Sequence, residues 1–91
     1  MKEISYFYGI TVFMNQDVDE FDKPHVHIHV GVVTSIFELH EGKETVVLAG
    51  EISDSVKETA GTWIRLRKTK LLRNWERSLR GEVIEMIEPL K

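Results

Sequence analysis

The sequence has no cysteine. That excludes a disulfide framework and any thiolate metal centre, and it fits a reducing compartment such as the cytoplasm. It also has no long apolar run. The opening MKEISYFYGI meets Glu3 early, so it reads neither as a secretion signal nor as a membrane span. Internal repeats and low-complexity stretches are missing too. No serine or lysine has the surroundings of an activated nucleophile. The acidic stretch NQDVDEFDKP (15–24) carries Asp17, Asp19, Glu20 and Asp22, but it lacks the glycine and closing bidentate glutamate of a calcium loop. It reads as a loop closed by Pro24.

What is present bounds the rest. Ninety-one residues, 42% of them hydrophobic and 30% charged, predict one soluble globular domain spanning 1–91. A chain this short buries a limited fraction of its surface, which leaves a homo-oligomer open. The net charge of −3 is unevenly spread. Between Thr62 and Gly81, Arg65, Arg67, Lys68, Lys70, Arg73, Arg77 and Arg80 face Glu76 alone, a local +6 against −9 elsewhere. Such a segment can steer an anionic partner, with Arg65, Lys70, Arg73, Arg77 and Arg80 as its binding residues. The plainer reading is a solvated helix face with scattered counter-ions.

The fold class expected is α+β. ISYFYGITVFM (4–14) is β-branched and aromatic and reads as one strand, apolar on both faces. HVHIHV (25–30), Gly31 and VVTSIFELH (32–40) read as a hairpin. EGKE (41–44) is the next turn and TVVLAGEI (45–52) the next strand. Ser53 or Asp54 then caps a helix whose buried stripe is Val56, Ala60, Trp63 and Ile64. Leu71, Leu72, Trp75 and Leu79 form a second stripe. On one straight helix Trp63 and Leu66 would point away from it, so a break is expected near Arg67–Thr69, giving two consecutive helices packed on one sheet face. Gly81 stops the second helix, and EVIEMIEPLK (82–91) is a short final extended segment ended by Pro89.

PHVHIHVG (24–31) is the stretch with chemical content. Strand side chains alternate, so His25, His27 and His29 share one face while Val26, Ile28 and Val30 share the other. A two-residue turn at Gly31-Val32 pairs Val30 with Val33, Ile28 with Ser35 and Val26 with Phe37. On the histidine side it pairs His29 with Thr34, His27 with Ile36 and His25 with Glu38, and His40 falls just beyond. Imidazoles at this spacing are candidate metal ligands (His25, His27 and His29, with zinc as the metal) and candidate general bases (His25 and His27). The bland alternative is a half-exposed face with a weak His25–Glu38 cross-strand pair. No motif calls for any other cofactor.

ISYFYGI, PHVH, LAGEI, the Trp63…Leu71-Leu72-x-Asn74-Trp75 pattern and the closing IEPL together resemble a small bacterial family catalogued as domain of unknown function forty-one-sixty. The resemblance implies no established activity. It implies a second small protein encoded alongside, some such pairs being labelled toxin–antitoxin modules. Pro24, His25, His27, Asn74 and Trp75 match the family pattern. His29 and the heavy basic load of the helix depart from it, and Arg67 stands where relatives often carry histidine. Three functions follow as expectations. The first is a binding or interaction module, one half of a toxin–antitoxin-like pair. The second is a nucleic-acid binder using the basic helix. The third is a small hydrolase or nuclease, metal-dependent or not, centred on His25 and His27. No membrane partner is expected. Trp63, Trp75 and Asn74 are read as structural.

Overall fold

The computed structural model describes residues 1–16, 22–39 and 46–90. Five strands, β1 (Lys2–Phe7), β2 (Ile10–Met14), β3 (His25–Val30), β4 (Val33–Glu38) and β5 (Val46–Ala49), form one antiparallel sheet in sequence order. One helix follows, α1 (Asp54–Leu79). The EGKE turn, His40 and the loop carboxylates Asp17, Asp19 and Glu20 lie outside the described residues.

The β3–β4 register is the expected one at all six pairs, from His25 opposite Glu38 to Val30 opposite Val33. Alternation and the Gly31-Val32 turn together determine it, because a slip by one residue would turn Val26 and Ile28 out of the core. Both are fully buried. Phe7, Ile10, Val12, Met14 and Phe37 are buried with them, and the ring of Phe7 lies 5.2 Å from that of Trp63 on the helix.

Residues 4–14 are not one strand. The chain reverses at Tyr8-Gly9, where both residues have positive φ (49° and 76°), and Phe7 pairs with Ile10. That is the backbone of a type I′ hairpin turn. The apolar residues of both parities, which had suggested a strand covered on two faces, arise because the turn and a register shift between Glu3 and Ser5 change the parity.

The two expected helices are one. Ala60, Trp63, Ile64, Leu71, Asn74, Trp75 and Ser78 are buried on a single continuous stripe. The gap at the middle of that stripe is filled by Arg67, half-buried through its stem, so no break and no cap at Thr69 is needed. Leu66 and Leu79, which had argued for two stripes, are 62% and 40% exposed. Ser53 caps the N-terminus by accepting from the Val56 N–H. At the other end Gly81 N–H donates to Ser78 O and Glu82 N–H to Arg77 O, a Schellman pair that closes the helix.

The last segment, 82–90, is irregular and packed between the helix and β1. Ile84 and Ile87 are buried, Ile87 N–H donates to Ile4 O at 2.7 Å, and the Lys2 ammonium donates to Ile84 O. Three side chains of the helix hold its backbone. Trp63 Nε1–H donates to Glu88 O at 2.8 Å, and Arg67 donates to the carbonyls of Glu88 and Pro89. Asn74 does both jobs at once, donating to Glu85 O at 2.7 Å and accepting from Glu85 N–H at 3.0 Å.

Candidate functional site

The helix and tail pack on the sheet face that carries Val26 and Ile28. The opposite alternation set runs Thr11, His29 and Thr34 across one row and Phe13, His27 and Ile36 across the next. Phe13, Ile36 and the three histidines of β3 are all half-buried; the charged residues of this set stand at its margins, exposed Glu3 opposite Phe13 and buried Glu38 opposite His25. Tyr6, paired with Thr11, is 59% exposed at the margin. A solvated antiparallel face ordinarily alternates to polar and charged residues; here the charge is confined to the margins.

The histidines are not equivalent. His25 opens the strand, and its ring meets those of His27 (5.1 Å) and Trp75 (5.2 Å). Its Nδ1 lies 2.7 Å from the Lys23 carbonyl. A carbonyl only accepts, so Nδ1 carries the proton and Nε2 is the acceptor when the ring is neutral. His29 stacks at 4.6 Å on Phe13. Nε2 of His27 and Nε2 of His29 are buried and have no hydrogen-bond partner among the described residues. Burial holds the His27 pKa below its ordinary value, and the neighbouring His25, His29 and amino terminus push it the same way. The same surroundings favour the neutral imidazole at His27. Glu38 is opposite His25 in register and buried. Among the described residues no group of three His, Asp or Glu side chains is placed to share an ion.

The basic helix is heavily engaged by its own chain. Lys70 pairs with Glu88 (3.1 Å), Arg77 with Glu85 (3.6 Å) and Arg80 with Glu82 (2.6 Å). Arg67 reaches Glu88 as well, and Arg65 donates to Thr62 Oγ1. Only Arg73, of the five basic residues singled out, has no hydrogen bond or ion pair among the described residues. Glu82, Glu85 and Glu88 were not anticipated as the partners. The signal was available: three glutamates spaced by three follow a helix whose cations recur at three and seven.

An antiparallel meander with a helix and a tail on one face, and a histidine-bearing face charged only at its margins on the other, defines a small α+β protein built around one sheet. The chain belongs to the family described as Domain of unknown function (DUF4160), whose profile matches residues 9–76. The match runs from the β1–β2 turn through Asn74-Trp75 and includes the histidine strand. No curated protein and no solved structure matches the chain. None of its described helices is long and apolar enough to cross a membrane.

Proposed function

We propose that this protein is a binding module, one component of a two-protein pair of the toxin–antitoxin type, and that its protein partner docks on the histidine face of the sheet. The observation that carries the reading is the composition of that face. Phe13, His27, His29 and Ile36 form a half-buried patch with no charged side chain at its centre. A protein surface supplies what such a patch takes, apolar and aromatic contact. A nucleic-acid partner fits it poorly, because phosphate contacts require cations. The basic helix is a weak alternative interface for nucleic acid, since Lys70, Arg77 and Arg80 already face carboxylates.

The test is co-expression with the small protein encoded beside it. A stable complex is expected, and Phe13→Glu or His27→Glu should abolish it while the circular dichroism spectrum is kept. A complex indifferent to both substitutions would remove the face from the proposal, and hydrolytic activity lost with His27→Ala would replace the binding reading with a catalytic one.

A further inference from the structure

A second site, independent of the sheet face, lies at the seam between the helix and the tail. A surface cavity of about 140 Å³ is lined by Lys70, Arg73, Asn74 and Arg77 on the helix side and by Glu85, Met86 and Ile87 on the tail side. Its charge is positive, three cations against one carboxylate. The cations differ in availability. Lys70 and Arg77 are fixed by Glu88 and Glu85, and Asn74 Oδ1 also accepts from Arg77 at 3.0 Å. Arg73 is exposed and has no partner among the described residues. Met86 forms the apolar side and is 60% exposed.

We infer that this cavity is a receptor for one carboxylate borne on an apolar stem, the side chain of a glutamate from a partner polypeptide. A guanidinium offers paired N–H donors that match a carboxylate's two oxygens, and none of those of Arg73 is used among the described residues. Lys70 and Arg77 add positive potential without having to move. Met86 and Ile87 offer the methylene stem apolar contact. The choice of a single carboxylate over a polyanion comes from the rim. Glu82, Glu85 and Glu88 run along the tail beside the cations, so a nucleic-acid backbone laid along the helix would meet a negative charge at every step. One isolated carboxylate meets Arg73 with a single glutamate in the same cavity, Glu85, which Arg77 already pairs.

The probe is sodium butyrate, a carboxylate with an apolar stem, followed by ¹H–¹⁵N shifts of the full chain. Inorganic phosphate and hexathymidylate serve as the comparison anions, all at matched ionic strength. Saturable shifts confined to Arg73, Asn74, Glu85 and Met86 are expected with butyrate, and Arg73→Gln should weaken binding about tenfold, the usual effect of losing a charge-assisted contact. Met86→Gln, which keeps Arg73, should weaken butyrate but not phosphate. Diffuse or non-saturating shifts, binding unaffected by Arg73→Gln, or phosphate binding as tightly as butyrate would overturn the assignment. Tighter, salt-sensitive binding of hexathymidylate at these residues would overturn it in favour of nucleic acid.

Discussion

Asn74 shows how much one side chain can carry here. It is 1% exposed, and both ends of its amide are bonded to the backbone of Glu85 across 11 residues of chain. Replacing it with alanine leaves the part-buried N–H and carbonyl of Glu85 without their partner, each a penalty of up to about 1–3 kcal/mol. Asn74→Ala should therefore lower the unfolding free energy by about 2–4 kcal/mol in urea denaturation; a loss under half a kilocalorie would mean that water replaces the amide freely. His27 makes a prediction of opposite character, visible only as pH changes. Its folded pKa lies below the ordinary 6.5. Well above that value the imidazole is neutral in both states and contributes no pH dependence. As pH falls through it, the unfolded chain takes up a proton that the folded chain resists, so stability is lost. The urea midpoint should drop between pH 7.5 and 5.5, and drop less in His27→Gln. His25, His29 and the amino terminus stay in both proteins, so the difference isolates His27.

At the scale of elements, two glycines beside the sheet, one in the β1–β2 turn and one just after β5, separate two costs of replacing glycine. Gly9 has φ +76° and open space where a Cβ would go. Gly50 has φ +91°, and a Cβ there would fall 2.2 Å from the carbonyl oxygen of Thr34. Gly9→Ala should cost about 1 kcal/mol, the left-handed strain alone. Gly50→Ala adds a collision with backbone that cannot rotate aside, so its loss in thermal stability should be clearly the larger; equal losses would refute the close approach. Turns also mark what the sequence could and could not reveal. Gly31 and the His/Val alternation made the β3–β4 register readable, and Ser53 and Gly81 marked both helix ends. Tyr8-Gly9 passed unrecognised because a bulky residue rarely takes the left-handed position that a type I′ turn requires there. The continuity of α1 was hidden by Arg67, a charged residue inside an apolar stripe, whose guanidinium escapes to the tail carbonyls. The histidine face was legible as a face; that Phe13 joins it, with charge only at the margins, needed the pairing of β1, β2 and β3, which no local pattern encodes.

Across the whole molecule, the tail from Glu82 onward closes the structure by joining its two ends. Its backbone meets β1 through Ile4 and Lys2, and its other side meets the helix through Trp63, Arg67 and Asn74. Every one of these contacts spans at least 11 residues of sequence, which is why a reading by local periodicity leaves the tail as a mere extended end. Removing it would uncover the pockets of two buried isoleucines, worth about 1.5–3 kcal/mol each. It would also remove the backbone partners of the Trp63 indole N–H and the Asn74 amide and open both side chains to water. Against the roughly 5–15 kcal/mol that holds a small protein folded, that is most of the margin. A chain truncated after Gly81 should thus lose its cooperative unfolding transition, while the single changes Glu82→Gln and Glu88→Gln, which break only exposed ion pairs, should shift the midpoint little. If the truncated chain unfolds at the same urea concentration as the intact one, the tail is an accessory laid on a finished fold. A loss as large in Glu88→Gln as in the truncation would instead place its stabilisation in charge pairing, and the buried isoleucines would have to be discounted.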